Sequence, residues 1–370
     1  MLPRKQVIFE SNDTFACMEF TSELIAWYDV NKRNLPWRNT RDPYKIWLSE
    51  IILQQTRVNQ GMKYYHHFTE EYPKLKDLAN ASEEKVLKSW QGLGYYSRAR
   101  NLHQAAKLVM KNFKGKFPDR YNSIITLPGV GEYTAAAIAS FCFEEKHAVV
   151  DGNVFRFLSR HFGIDTAIDS SSAKKEFRSL AESLMGKCKP SIFNQAIMEF
   201  GALHCRSQNP SCADCPFSQS CYARQNDMVS VFPVKARKQL VRNRYFHYLV
   251  LTDAEHVLLQ KRTGKDIWQS LYEFPVIESS STAFDDVKKD LLKLTGFEYS
   301  HIKASKLKSS SVYRHVLSHQ YIHAVFHRVS MKGSIKSSSK ADKVRMEKLK
   351  DYPVPKLIEK YLLEEFEPYD

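Results

Sequence analysis

The stretch CRSQNPSCADCPFSQSC, residues 205–221, gathers four of the chain's seven cysteines at the spacing C-x6-C-x2-C-x5-C. A run so poor in apolar residues cannot build a core of its own, so something other than packing must fold it. The N-terminal MLPRKQVIFESNDTF contains no apolar centre of a signal peptide, and no window approaches 18 uninterrupted apolar residues. The expected setting is therefore the reducing cytosol, without a membrane span. There disulfides are disfavoured, which leaves metal or cluster ligation for Cys205, Cys212, Cys215 and Cys221. Structural zinc usually draws on two close knuckles, and only Cys212 and Cys215 have that spacing. Four thiolates on one compact loop suit an iron–sulfur cubane better, because each of its four irons needs one ligand. Cys17, Cys142 and Cys188 stand apart and read as small buried hydrophobes.

Around this loop there is material for two domains: 370 residues, 43% of them hydrophobic. The net charge of +14 comes from Lys and Arg spread along the whole length, which suits a long polyanion better than one acidic pocket. From Phe15 to about Ala223 the apolar residues recur at helical spacing, as in PYKIWLSEIILQQTRV, YTAAAIASF and NQAIMEFGALH. Residues 1–226 thus read as an all-α domain that includes the cysteine loop. MVSVFPVKARKQLVRNR loses that period, and 227–240 reads as a basic linker. Residues 241–370 read as a small α+β domain. YFHYLVLTDAEHVLLQKR is two β-rich runs around a polar turn, DDVKKDLLKLTGF a short helix, and HQYIHAVFHRVS an alternating strand. KGSIKSSSKADK follows as a polar loop, and VPKLIEKYLLEEF closes the chain as a helix.

In LPGVGEYTAAAIASF, Gly129 and Gly131 form a tight turn before an alanine-rich helix, where backbone N–H groups can close on a phosphate. In VVDGNVFR, Asp151 stands between an apolar pair and a helix start, where its plain role would be an N-cap. In WLSEIILQQT, Glu50 sits on the border of an apolar helix face, a setting that raises a carboxyl pKa.

LPGVGEYTA, VDGNV and the cysteine loop stand here in the order that the helix-hairpin-helix glycosylases of the endonuclease III superfamily show. LPWR, SEIILQQTRV, GLGYYSRARNL and NQAIMEFGALHC further resemble the MutY-type adenine DNA glycosylases. The resemblance runs from about Trp27 to Cys221 and continues more loosely beyond. It implies a helix-hairpin-helix catalytic domain with a 4Fe-4S cluster on the four cysteines, followed by a Nudix-like lesion-recognition domain. The implied reaction is hydrolysis of the N-glycosidic bond of adenine opposite 8-oxoguanine or guanine in double-stranded DNA, by a monomer acting at the nucleoid. Such a cut needs one acid and one anionic carboxylate. The resemblance gives proton transfer to Glu50 and stabilisation of the sugar cation to Asp151, which is expected to stay ionised, with Asn153 and Tyr133 supporting them.

By the same resemblance Gln55 and Tyr95 enter the base stack and Thr56 and Leu93 lie near the opposite base. Leu35 and Trp37 wall the flipped adenine, Arg38 and Gln195 read its polar edges, and Ser318 and His319 check the base opposite. Leu317 replaces the phenylalanine that the family has before that serine. Relatives that also cleave the strand carry a lysine where this chain has Tyr133, and a phenol forms no Schiff base. The expectation is a monofunctional enzyme, with endonuclease III-like glycosylase/lyase action as the alternative. A cluster protein that only binds DNA would lack one carboxylate. A nucleotide pyrophosphatase would need the Nudix glutamates that Lys293 and Leu294 replace.

Overall fold

The computed structural model describes residues 14–236, 241–287, 290, 307–331, 334–337 and 341–366. Lys293, Leu294 and most of the helix expected at 285–297 lie outside the described residues, as do 332–333 and 338–340 of the expected polar loop; Phe284–Asp286, at the start of that helix, form a 3-10 turn. Contacts divide the chain into two compact units. One comprises Met1–Tyr65, Tyr72–Lys76 and Gln104–Lys238, the other His66–Glu71, Asp77–His103 and Gln239–Asp370.

Among the described residues, twelve α-helices come first: α1 (Thr14–Asn31), α2 (Pro43–Leu53), α3 (Val58–Glu71), α4 (Leu75–Asn80), α5 (Glu83–Ser89), α6 (Ser97–Asn112), α7 (Tyr121–Ile124), α8 (Glu132–Phe143), α9 (Gly152–Phe162), α10 (Ser171–Met185), α11 (Pro190–Leu203) and α12 (Tyr222–Gln225). Their ends follow local chemistry. Asp42 accepts the Tyr44 N–H at 2.9 Å just before Pro43 opens α2. Asp151 accepts the N–H groups of Asn153 and Val154, each at 2.8 Å, at the start of α9. Gly163 closes α9 at φ 66°, a conformation that costs a residue with a Cβ.

The core of the first unit is aromatic: Phe20, Phe157, Phe177, Phe193, Phe200 and Phe217 are buried, with Phe157 and Phe200 4.4 Å apart at their centroids. Each such ring contributes about 1.5–3 kcal/mol by leaving water. α11 comes close to α9 because residue 201 is glycine; a Cβ there would lie 2.7 Å from the Asn153 carbonyl oxygen. Among the described residues no helix is long and apolar enough to cross a membrane.

The second unit is a mixed sheet: β1 (Arg242–Thr252), β2 (His256–Lys261), β3 (Tyr272–Glu273), β4 (Val276–Ser279), β5 (Leu307–Ser309), β6 (Tyr313–Val316), β7 (Gln320–Ser330) and β8 (Asp342–Arg345). β1 and β7 run parallel at its centre, from Arg242 opposite Gln320 to Thr252 opposite Ser330. The expected hairpin is β1–β2, and the expected alternating strand is β7. The closing helix, α13 (Lys356–Glu365), stacks Tyr361 on Phe326 at 3.8 Å. Residues 77–103, helical in sequence pattern, also pack in this unit.

The segment read as a linker differs from a free tether up to residue 236. Phe232 is buried, its carbonyl accepts Arg160 Nε at 3.2 Å, and Ile168 N–H bonds the Val234 carbonyl at 3.0 Å. Ala236 N–H is held by Asp169 at 2.9 Å. An aromatic side chain inside a basic run is worth more in a core than in water, and it draws the backbone down with it. Residues 237–240 lie outside the described set.

Candidate active site

Four helices of the first unit wall one cavity. α2 supplies Glu50, α8 supplies Tyr133, the start of α9 supplies Asp151 and Asn153, and α11 supplies Gln195. Leu35, Trp37 and Arg38, at a short 3-10 turn, and Thr56 complete it. Trp37 is held edge-on to Tyr65, with centroids 5.2 Å apart. The expected catalytic residues are therefore brought together, although they are up to about a hundred positions apart in the chain.

Glu50 is 7% exposed. Burial pushes its carboxyl up to about 7; the Tyr133 hydroxyl bonded to it and the Arg38 charge oppose this, and the Asp151 charge adds to it. Asp151 is expected to stay ionised, and burial raises its carboxyl as well. Desolvation acts on both groups, so hydrogen bonds decide which of them holds a proton first. Asp151 accepts three, from Asn153 N, Val154 N and Asn153 Nδ2, each at 2.8 Å, and Arg156 adds a favourable charge. Glu50 has no such set of donors; the neighbouring Tyr133 hydroxyl is what most favours its charged form. The first proton thus goes to Glu50 and the charge to Asp151. The N-cap role and the cavity role of Asp151 coincide, because capping leaves its carboxylate at the cavity wall.

Arg38 lines the cavity with its donors largely committed. Nη1 and Nη2 grip the two oxygens of Glu199, each at 2.8 Å, and Arg33 binds the same carboxylate through Nε at 2.9 Å and Nη2 at 2.5 Å. Against a burial penalty that raises it, these bonds hold Glu199 down to about 2. Gln195 accepts the Tyr28 hydroxyl at 2.8 Å through Oε1, which turns its amide nitrogen toward other partners. Sequence reasoning missed Arg33 and Glu199. The available signal was Glu199 four residues after Gln195, two polar groups on one face of an apolar helix.

Arg156 was missed too. Its guanidinium donates to Asn153 Oδ1 at 3.0 Å, to the Gly201 carbonyl at 2.6 Å and to the Cys205 carbonyl at 2.8 Å. By taking Oδ1, it turns Asn153 Nδ2 onto Asp151.

Of the expected DNA contacts, Gln55 is exposed at φ 56° and Tyr95 is 43% exposed at φ 48°. Left-handed backbone is uncommon for non-glycine residues, and both side chains stand at turns that present them outward. Leu93 is 7% exposed, on the same loop as Tyr95. Gly129 has φ 75°, and Gly131 begins α8 with no side-chain cap and open space around it. Ser318 and His319 are exposed in the turn between β6 and β7, and Ser318 Oγ hydrogen-bonds the Tyr95 hydroxyl.

Cys205, Cys212, Cys215 and Cys221 line one cavity beneath Phe200 and Phe217. Among the described residues no three His, Cys, Asp or Glu side chains approach closely enough to hold a single metal ion. The four thiols share the lining of this cavity, a donor set of the kind that thiolate-bound groups use. Arg160 donates to Cys205 Sγ at 3.5 Å and to the Arg206 carbonyl at 2.7 Å. Cys17, Cys142 and Cys188 are half-buried, less enclosed than expected.

The helical unit and its two-carboxyl cavity define a helix-hairpin-helix DNA glycosylase, here joined to a Nudix-like domain. The family model described as "HhH-GPD superfamily base excision DNA repair protein" matches residues 48–183, and that of the NUDIX domain matches 247–364. The adenine DNA glycosylase of Buchnera aphidicola subsp. Schizaphis graminum is 31% identical over 305 residues, 82% of this chain and 85% of its own. That of Mus musculus is 44% identical over 215 residues, 56% of this chain and 42% of its own. The chain belongs to the adenine DNA glycosylase family. Among solved structures, a thermostable thymine-DNA glycosylase superposes over 58% of this chain and 100% of its own, with TM-score 0.54 and 31% identity. A trapped endonuclease III–DNA covalent intermediate, at 23% identity and TM-score 0.51 over 58% of this chain, shares the fold.

Proposed function

We propose that this enzyme removes adenine mispaired with 8-oxoguanine or guanine from double-stranded DNA and leaves an intact strand with an abasic site. The observation that carries the reading is the pair Glu50 and Asp151 on one cavity wall, one poised to hold a proton and the other capped by three donors. The adenosine nucleotide must leave the stack to reach them, at a cost of a few kcal/mol. Glu50 gives its proton to a ring nitrogen of the extruded base. The bond from sugar to base breaks with its electron pair on adenine, and the Asp151 carboxylate stabilises the cationic sugar until water adds. Leu35 and Trp37 exclude solvent from the base, and Gln195 offers its amide to a polar edge. Tyr133 lines the cavity beside Glu50 and supplies no amine for strand cleavage.

Cys205, Cys212, Cys215 and Cys221 are the residues that would hold a 4Fe-4S cluster, which supplies a fixed fold for the loop when bound. Ser318 and His319 would hydrogen-bond the base opposite adenine. The protein acts as a monomer on nucleoid DNA in the cytosol. The test uses duplexes that differ only in the base opposite adenine, read before and after alkali. Adenine released with the strand nicked only after alkali supports the reading; a strand nicked without alkali favours the lyase alternative.

A further inference from the structure

The loop that carries Tyr95 belongs to the same unit as Ser318; Trp90 Nε1 and Arg98 Nη2 hold its Gly94 carbonyl from within, at 3.0 and 3.1 Å, and a second set of contacts ties its flanks to the α+β domain. Gln91 donates through Nε2 to Glu359 on α13 at 2.6 Å, while its Oε1 accepts Lys88 Nζ at 3.1 Å and the Val354 N–H at 3.4 Å. Lys88 Nζ also reaches the Tyr352 carbonyl at 3.4 Å. Glu84 accepts from Tyr272 at 2.6 Å and from Lys261 at 2.9 Å, and Arg100 donates to the Gln269 carbonyl at 2.7 Å. These contacts bracket residues 92–96 from both sides. The loop backbone needs such support: Gly92, Gly94 and Tyr95 all have positive φ, and a non-glycine residue at φ 48° is costly unless its surroundings fix it.

We infer that Gln91 and Glu359 are positioning residues for mispair selection: they clamp the Tyr95 loop to the α+β domain, so that the base-stack wedge and the Ser318 turn meet the two sides of a mispair in one fixed register. The inference rests on the proposed roles of Tyr95 and Ser318 and adds a means by which the α+β domain acts besides touching the opposite base itself. Glu359 is over two hundred and sixty positions from Gln91, which is why the pairing is invisible in the sequence.

The test measures single-turnover adenine excision by the full-length, cluster-loaded protein on duplexes with 8-oxoguanine, guanine or an abasic analogue opposite adenine. Gln91→Ala and Glu359→Ala should each lower the 8-oxoguanine-to-guanine rate ratio about tenfold, as expected for one lost charge-assisted hydrogen bond. They should leave excision opposite the abasic analogue unchanged, and lower the melting temperature by no more than leaves the protein folded at the assay temperature. Amide exchange at residues 92–96 should rise, and Glu359→Gln, which keeps an acceptor oxygen, should restore the ratio. An equal loss on all three duplexes, or an unchanged ratio with unchanged exchange, overturns the inference. Tyr95→Ala separates the two layers. If it lowers the ratio while the clamp variants do not, the clamp alone is wrong; if it changes nothing, the wedge reading falls and the clamp with it.

Discussion

Two buried glutamates line the same cavity, and their surroundings drive them apart. Glu50, on α2, meets one phenol and a neighbouring carboxylate, and burial pushes it up to about 7. Glu199, on α11, meets two guanidinium groups that hold it down to about 2 despite burial. Residue type and depth are shared, so the number of donors each carboxyl faces separates an acid from a fixed anion. The difference divides the labour of the cavity. The α2 wall stores a proton for chemistry, and the α11 wall stores a charge that keeps Arg33 and Arg38 in place.

The comparison is broken most severely by changes to the reacting carboxyls. Glu50→Gln removes the proton and should slow single-turnover excision by about 10²–10⁴-fold with mispair binding retained. Asp151→Asn should fall in the same range while keeping the start of α9, because asparagine is as good an N-cap as aspartate. Next comes Glu199→Leu, which leaves two cations facing an apolar wall and should cost about 3–5 kcal/mol of unfolding free energy in denaturant melts.

Glu50 also has a signature in stability. Its folded pKa lies above its ordinary value of 4.5, so the stability it contributes is full below 4.5 and is lost as pH rises toward about 7. The displacement corresponds to about 3 kcal/mol. Glu50→Gln should therefore be the more stable protein at pH 8 by up to about that amount, and should lose that part of the pH dependence of unfolding. Smaller again, Gly201→Ala should cost about 1–3 kcal/mol, since its Cβ would press on the Asn153 carbonyl and move the residue that orients Asp151.

Half of the glutamate contrast was legible in the sequence. Glu50 and Asp151 were placed through the resemblance carried by SEIILQQTRV and VDGNV; their own neighbours, an apolar helix face and a helix start, are also those of an ordinary helix glutamate and a plain N-cap. The alternation of β7 and the closing helix were legible from the residues themselves, since period is a local property. Glu199 was not, because its meaning lies in Arg33 and Arg38, more than 160 positions earlier. The left-handed backbone at Gln55 and Tyr95 was not legible either, since neither residue type favours that conformation. The docking of Phe232 depended on Arg160 and Asp169, so a basic run that reads as a tether proved anchored over most of its length.

The contrast between the two glutamates is tested most directly by the pH dependence of single-turnover adenine excision from about pH 5 to about pH 9, measured on the wild type and on Glu50→Gln. The wild-type rate should decline above about pH 7 as Glu50 loses its proton, and the variant should be slow throughout with no such limb. A wild-type rate flat across that range, or a folded Glu50→Gln protein that excises adenine at near wild-type rate, would contradict the assignment of Glu50 as the acid.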